Sequence, residues 1–380
     1  MTTIYLDHAA TTPVHPDVSA NYVHYLSTQF GNPSSIHSFG REARKWLDSA
    51  RKTMAQSINA QPTEIIFTSG GTEADNLAVF GTVSAMKQQG NHIITTNIEH
   101  HAVLNPCKKL ELEGYDVTFL EVDKNGVVSA NQVEEALTDQ TILVSIMLGN
   151  NEVGTVQPIG EIGKVLVNHQ AIFHTDAVQA YGIIPIDVKE LGVDLLSVSS
   201  HKLNGPKGVG FLYQRSGIET ISLQHGGDQE RKRRAGTENV PAIVAFSDAV
   251  NIAQVAMKEN ANKYQEFATK LTAIFEKKDL DFAINAQEAK RLPHIMNVSF
   301  PGTDIESLLV NLDMAGVCVS SGSACTAGSL DPSHVLTAMY GEGAPQLRNS
   351  VRFSFGLGLD QEQIIQAANT TAEIVNRLVK

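Results

Sequence analysis

Lys202 stands where a lysine side chain can do chemistry, after a short polar strand and before a turn rich in glycine and proline. Gly205 and Pro206 cannot continue a helix from here, so we expect Lys202 to be presented into a cleft. Upstream, the apolar segment 171–174 leads to Asp176, which we expect at the end of a strand. Considered alone, Lys202 is an ordinary loop lysine, and only its combination with other residues indicates catalysis.

A lysine and an aspartate at two strand ends are the residues that pyridoxal 5'-phosphate (PLP) chemistry needs. The lysine amine bonds covalently to the cofactor aldehyde, and the carboxylate keeps the pyridine nitrogen protonated so that the ring accepts electrons. The segment TSGGTEADN, residues 68–76, is a candidate phosphate site. Gly70 and Gly71 allow a tight turn, and Thr72 lies where a helix N-terminus offers N–H groups to an anion.

The segment 68–76 has two other interpretations. It is also consistent with a plain capped helix after a glycine turn, with Thr72 and Glu73 in ordinary capping roles. A dinucleotide-binding loop fits it less well, because the segment contains no G-x-G-x-x-G pattern. The glycine turn, Asp176 and Lys202, occurring in this order, favour the PLP interpretation.

The whole set of motifs resembles the cysteine desulfurase family, in its NifS/IscS-like branch of the fold-type I PLP enzymes. The resemblance extends over nearly the whole chain. The motifs that carry it are YLDHAATTP from Tyr5, FGNPSS from Phe30, EHHAV from Glu99, GNNEVGTVQ from Gly149, HGGDQERKRRAGT from His225, SSGSACTAGSLDPSHVL from Ser320 and SVRFSFG from Ser350. The motif that contains the cysteine is the most specific of them.

The resemblance implies a reaction. L-Cysteine would be converted to L-alanine with PLP, Lys202 would remove the Cα proton, and the sulfur would remain as a persulfide on Cys325. The sulfur would then pass to an acceptor protein, either an iron–sulfur scaffold or a tRNA-thiolation enzyme. The alternative is a selenocysteine lyase or another PLP-dependent transferase, such as an aminotransferase. A non-catalytic descendant of the fold is disfavoured, because Lys202, Asp176 and Cys325 are all present.

The resemblance also assigns roles to single residues. The catalytic residues would be Lys202, Cys325 and His100, with the His100 imidazole stacked on the cofactor ring and moving protons. The cofactor-binding residues would be Gly71, Thr72, Asn151, Asp176, Gln179, Ser199, His201, Lys202 and Thr237. Among these, the phosphate contacts would be Thr72, Ser199 and His201, and the ring hydroxyl would contact Gln179.

The substrate carboxylate would be held by Asn32, Asn151 and Arg352. Arginine suits this task because its planar guanidinium can grip a carboxylate with two parallel hydrogen bonds. In the family, the residue that matches Thr237 reaches the cofactor phosphate of the other subunit. This match implies a homodimer with shared active sites.

The histidines do not indicate a metal site. His100 and His101 are adjacent, so both cannot easily face one ion in a regular element, and the sequence has no H-E-x-x-H motif. We therefore predict no metal ion. The less favoured alternative for His100 is a strand-end histidine with a structural hydrogen bond.

The three cysteines have different surroundings. Cys325 lies among serine, glycine, alanine and threonine, which predicts an exposed, mobile loop suited to a nucleophile. Cys318 lies in an alternating segment that predicts a half-buried strand. Cys107 shares helical spacing with Val103 and Leu110, which favours packing in the core.

Composition limits the class of protein. The chain has 380 residues and a net charge of −12, so direct nucleic-acid binding is not expected. No signal peptide or membrane-spanning run is predicted, and three cysteines do not make a disulfide framework, which suits a reducing cytoplasm. The basic run Arg231–Arg234 is most simply a solvated loop, with docking of tRNA or of an acidic partner left open.

Short apolar segments alternate with amphipathic ones along the chain, which predicts an α/β fold with a mainly parallel sheet covered by helices. Strands are predicted at 92–96, 116–121, 141–147 and 171–174, and helices at 40–57, 159–168 and 241–277. Residues 15–257 would form the large PLP-binding domain of fold type I. Residues 1–14 and 258–380 would form a smaller α+β domain that carries the Cys325 loop.

Overall fold

A mainly parallel sheet organises the larger part of the protein. The computed structural model describes residues 3–321 and 332–379. Its strands are β1 Ile4–Tyr5, β2 Ile65–Thr68, β3 His92–Thr96, β4 Asp116–Leu120, β5 Thr141–Ser145, β6 Ile172–Asp176, β7 Leu195–Ser199, β8 Gly210–Gln214, β9 Ala283–Ile284, β10 Ile295–Ser299, β11 Val317–Cys318 and β12 Ser350–Ser354. Its helices are α1 Pro16–Thr28, α2 Ser38–Ser57, α3 Gly71–Met86, α4 His101–Leu112, α5 Ala130–Ala136, α6 Ile159–Leu166, α7 Val188–Leu191, α8 Val240–Lys277, α9 Ile305–Met314, α10 His334–Tyr340 and α11 Gln361–Leu378.

Within the described residues, the large sheet has seven strands in the order β2-β8-β7-β6-β5-β3-β4. Strand β8 runs antiparallel to both of its neighbours, and the other pairs are parallel. Strands β3, β5, β6 and β7 are buried along their whole length, as expected for parallel strands with helices on both faces. The α/β prediction is confirmed; the predicted bounds of β3 match the observed ones, and those of β4, β5 and β6 differ by at most two residues at either end.

The carboxyl ends of β6 and β7 are adjacent in this order, because the two strands pair in parallel with Asp176 opposite Ser197. Asp176 is the last residue of β6, and Lys202 is the last residue of the short 3-10 turn, Ser200–Lys202, that follows β7. Functional residues of open parallel sheets gather at this edge. The fold therefore brings Asp176 and Lys202 together at one edge of the sheet.

A second hydrophobic core surrounds a small antiparallel sheet in the order β12-β10-β9. The N-terminal strand β1 pairs in parallel with β11, so the first residues of the chain pack beside the last third of it. Helix α8 contributes to both cores, with Phe246 in the large one and Phe267 in the small one. The proposed domain boundaries at residues 14 and 257 remain predictions.

The sequence predicts no membrane-spanning run, but helix α8 is long and apolar enough to cross a bilayer, with a window of mean hydropathy 1.5. Half of that window is buried inside the protein, and the core helices of soluble proteins pass the same test. This weak signal does not make α8 a membrane span.

Candidate active site

A cavity of about 280 Å³ lies at the carboxyl ends of β6 and β7. Its walls come from the N-terminal segment, the start of α3, the residue before α4, and strand β12. The lining residues are Ala9, Ala10, Gly71, Thr72, Asp75, His100, Met147, Gly149, Asn151, Asp176, Val178, Gln179, Ser199, His201, Lys202 and Arg352. Most of the residues that the sequence analysis singled out therefore share one cavity.

Lys202 is held by the N-terminal segment of the chain. Its amine donates hydrogen bonds to the backbone carbonyls of Ala9 and Ala10, the latter at 2.9 Å. The same segment is fixed to the lysine turn because Thr12 Oγ1 donates to the backbone carbonyl of His201 at 2.8 Å. The lysine is thus presented to the cavity from a braced turn.

Asp176 is a buried carboxylate at the floor of the cavity. Its Oδ1 accepts a hydrogen bond from the Val178 backbone N–H at 2.8 Å. Burial raises the pKa of Asp176 to about 6, against the opposing effects of that hydrogen bond and of the Lys202 charge. The Val178 N–H and the Lys202 charge favour the ionised carboxylate, the form that a partner for a protonated pyridine nitrogen must take.

The turn from β2 into α3 forms the phosphate end of the cavity. Gly70 has a φ of +150°, and a side chain at Gly71 would meet Val178 Cγ2 at 2.8 Å, so both positions favour glycine. Helix α3 begins at Gly71, and Thr72, Ser199 and His201 line the same end. Unpaired N–H groups of the first helical turn can bind a phosphate there.

His100 is a neutral imidazole in the cavity wall. It caps α4 by accepting a hydrogen bond from the Ala102 backbone N–H at Nδ1, 3.1 Å away. Burial, with a smaller effect from the Lys202 charge, lowers the pKa of His100 to about 4. An uncharged ring can lie against an aromatic cofactor without desolvating a charge.

Arg352 on β12 is buried and firmly oriented. It donates from Nη1 to the Asn151 backbone carbonyl and from Nη2 to Asp7 Oδ1, both at 2.7 Å. Gln179 is oriented in a similar way, because its side-chain amide donates to the Ala9 carbonyl at 2.8 Å. Contacts from distant parts of the chain thus set the positions of two polar groups in the cavity.

Three predicted site residues are not among those that line the cavity. Asn32 is exposed, and its Oδ1 accepts a hydrogen bond from the Ser34 backbone N–H at 2.9 Å. Thr237 is also exposed. Cys325 lies outside the described residues, so its predicted position and role remain predictions.

The sequence analysis did not single out Asp75, although it lies within the motif 68–76. It follows Thr72 by three residues in α3, so helical spacing alone would have placed it on the same face. Ala9 and Ala10 contribute backbone carbonyls, for which side-chain identity gives no signal. These are the groups that the fold adds to the predicted site.

The donor set fits PLP. A glycine turn at a helix N-terminus, an ionised carboxylate and a lysine amine would hold the phosphate, the pyridine nitrogen and the aldehyde, respectively. Asp75, His100 and Asp176 present polar atoms within 4.8 Å of one another, near enough to hold an ion by distance alone. We assign them to the surroundings of the pyridine ring, and the prediction of no metal ion is unchanged.

Comparison with known proteins agrees with this assignment. A family model described as aminotransferase class-V matches residues 4–366. IscS 1 of Bacillus subtilis is 59% identical over 378 residues, covering all of both chains. Cysteine desulfurase IscS of Dictyoglomus turgidum is 45% identical and covers 99% of this chain and 94% of its own. A solved NifS-like protein superposes with a TM-score of 0.92 at 34% identity, covering 99% of this chain and 100% of its own. By its sequence and its fold, the chain belongs to the cysteine desulfurases, PLP-dependent enzymes that take sulfur from cysteine.

Proposed function

We propose that the cavity around Lys202 is where L-cysteine loses its sulfur, with roles for the residues as the sequence analysis assigned them. The observation that carries this proposal is the convergence of Lys202, Asp176 and Arg352 on one cavity. Bound PLP supplies the electron sink that stabilises negative charge at the substrate Cα. The lysine amine, next to that position, removes the Cα proton.

Arg352 is placed to bind the substrate carboxylate. Asp7 and the Asn151 carbonyl fix two of its nitrogens, so the orientation of the guanidinium is set before a substrate arrives. A fixed guanidinium loses little side-chain entropy on binding. Asn151 itself lines the cavity beside it. We assign specificity for an amino-acid carboxylate to this pair.

Cys325 is our candidate for the sulfur carrier. Its thiolate attacks the substrate sulfur, an S–S bond forms, and the Cβ–S bond breaks. The electron pair of that bond stays with Cβ, which takes up a proton to become the methyl group of alanine. Only a thiolate is nucleophilic enough for this step.

The other two cysteines are poorly suited to the step. Cys107 is fully buried, and burial raises the pKa of its thiol to about 12. Burial and the nearby Asp313 carboxylate raise the pKa of Cys318 as well. Neither thiol ionises readily at neutral pH, which supports the assignment to Cys325.

The test compares Cys325→Ala with Cys318→Ala. After brief exposure to cysteine, peptide mass spectrometry of the wild type should find one added sulfur atom on the peptide that contains Cys325. Cys325→Ala should bind PLP and cysteine normally but release no sulfur, whereas Cys318→Ala should remain active. Added sulfur on Cys107 or Cys318, with Cys325→Ala still active, would refute the assignment.

We further propose that the acceptor is a protein of iron–sulfur assembly or of tRNA thiolation, in a cytoplasmic setting. The low number of cysteines supports the setting. The basic run offers less for docking than its sequence suggests. Arg234 forms two hydrogen bonds with Glu73, and Arg233 donates to the Thr63 carbonyl at 3.0 Å. The Lys232 amine also lies 3.8 Å from Asp228 Oδ2, so three of the four residues of the run contact partners within the chain.

A homodimer is the proposed assembly. Exposed apolar side chains recur within and between the first two helices, and among them the rings of Phe30 and Phe39 pack at 5.0 Å. The others in this segment are Val23, Leu26 and Ile36, the last of which is 91% exposed. Exposed apolar patches mark contact surfaces. Thr237 is exposed and absent from the lining of its own cavity, which fits a role in a neighbouring subunit.

A further inference from the structure

Asp75 is a buried carboxyl group for which the proposed reaction has no use. It lies in the second turn of α3, is 1% exposed and lines the active-site cavity. Within the described part of the chain, its Oδ1 has no hydrogen-bond partner. Burial of a carboxyl group with one oxygen left unpartnered disfavours its charged form.

The histidine beside it does not supply a positive charge. His174 Nε2 lies 3.6 Å from Asp75 Oδ1, but each of its ring nitrogens already contacts a serine hydroxyl. Nδ1 lies 2.8 Å from Ser145 Oγ, and Nε2 lies 2.9 Å from Ser197 Oγ. Burial lowers the pKa of His174 to about 3, so this ring is neutral. The contact is therefore not an ion pair.

A second carboxyl group lies close by. Polar atoms of Asp75 and Asp176 are within 4.8 Å of each other, in the same buried floor. Two carboxyl groups at this separation in a low-dielectric site do not both ionise readily. Asp176 must be the charged one if it holds a pyridine proton, and its Val178 N–H bond supports that charge.

We propose that Asp75 carries a proton at neutral pH and acts as a neutral positioning residue, so that Asp176 alone bears the negative charge beneath the cofactor ring. The titratable groups that surround it are His174, Asp176, Glu99, His100 and, across the cavity, Lys202. Glu99 is itself buried, and burial raises its pKa to about 8, so it adds little charge at pH 7.

Two effects on Asp75 oppose each other. The N-terminus of α3 favours a negative charge, but the dipole effect weakens beyond the first turn. Burial, followed by repulsion from Asp176, raises the pKa of Asp75, although the Ser197 hydroxyl acts in the opposite direction. Burial and the neighbouring carboxylate together are the larger influence, and they leave Asp75 protonated.

The test uses Asp75→Asn in the PLP-loaded enzyme, because asparagine has the shape and charge of a protonated aspartate. The visible absorption of bound PLP is titrated with pH, and its midpoint reports charge near the ring. We expect the midpoint of Asp75→Asn to equal that of the wild type. If Asp75 is ionised, removing its charge should lower the midpoint by about one unit or more, and that result would overturn the proposal.

Infrared spectroscopy gives a second readout that does not depend on the absorption of PLP. In wild-type holoenzyme labelled with 13C-aspartate, a protonated carboxyl should give an isotope-sensitive band above the amide band, and Asp75→Asn should abolish it. Absence of this band from the wild type would also reject the proposal.

The inference rests on the assignment of Asp176 to the pyridine nitrogen, so Asp176→Asn is the control. Its absorption midpoint should fall. A normal midpoint in Asp176→Asn would refute that assignment, whereas a lowered midpoint in both variants would refute only the neutral state of Asp75.

Discussion

At the scale of single residues, burial shifts the pKa values of the groups in the site. It lowers the pKa of His100 to about 4, which keeps that ring neutral at pH 7, and it raises the pKa of Asp176 against the opposing effects of the Val178 N–H and the Lys202 charge. The buried Arg352 guanidinium is paired with the Asp7 carboxylate and with a backbone carbonyl. A charge fixed in this way contributes most when a substrate carboxylate displaces water beside it.

Replacing Arg352 tests this account. Arg352→Lys keeps the positive charge but loses the planar pair of donors, at a cost of one charge-assisted hydrogen bond or more. We expect KM for cysteine to rise about 10–100-fold, with a smaller change in kcat, on the usual strength of such bonds. Steady-state kinetics of sulfide release measure both constants.

Asp7→Asn is the matched control, because it leaves the guanidinium in place and removes only the partner that orients it. It should raise KM less than Arg352→Lys does. An unchanged KM in Arg352→Lys would exclude Arg352 from the substrate carboxylate site.

At the scale of elements, the segment around Glu230 is held in an unfavourable backbone conformation. Glu230, Arg231 and Lys232 have φ values of +46°, +58° and +66°, which non-glycine residues rarely adopt. The buried Glu230 carboxylate accepts two hydrogen bonds from Arg51 and one from the Phe67 backbone N–H at 3.0 Å. These contacts therefore fix this segment, which leads to Thr237, against β2, the strand that runs into the phosphate turn.

Breaking that pair should be costly. Glu230→Gln leaves Arg51 buried without its counter-charge, so we expect the free energy of unfolding to fall by about 3–5 kcal/mol. PLP should also dissociate more easily, because the neighbouring turn loosens. Urea unfolding and PLP release measured by absorbance provide the two values.

The control is Glu113→Gln, which removes an exposed ion pair between Lys109 and Glu113. It should change the free energy of unfolding by less than about 1 kcal/mol. Equal effects of the two variants would show that burial does not distinguish these pairs.

Sequence patterns predict strands better than they predict contacts between distant residues. The predicted bounds of strand β3 match the observed ones, because burial on both faces leaves an apolar run with clear ends. The ion pair of Arg51 with Glu230 joins residues 179 positions apart, and no local pattern reports such a contact. The pairing of β1 with β11 and the approach of Asp75 to Asp176 are likewise set only by the tertiary fold.

At the scale of the whole molecule, the cavity is assembled from both ends of the chain. Ala9 and Ala10 hold Lys202 from the N-terminal side, and Arg352 enters from the C-terminal side. Bringing segments so far apart in the chain into contact carries an entropic cost, which burial of apolar side chains in the cores must offset. If Thr237 contacts the phosphate bound in a second copy of the chain, then each cavity is also assembled from two subunits.

Mixed dimers test whether Thr237 acts across the subunit boundary. One chain carries Lys202→Ala, the other carries Thr237→Glu, which places a carboxylate against the phosphate, and two affinity tags isolate the heterodimer. If Thr237 acts in the neighbouring site, one intact site remains, and activity should be about half that of the wild-type dimer. The reciprocal heterodimer pairs a wild-type chain with a chain carrying both substitutions, and it should be nearly inactive because each site then has one defect. The opposite pattern, with sedimentation confirming dimers in both samples, would place Thr237 in the site of its own chain.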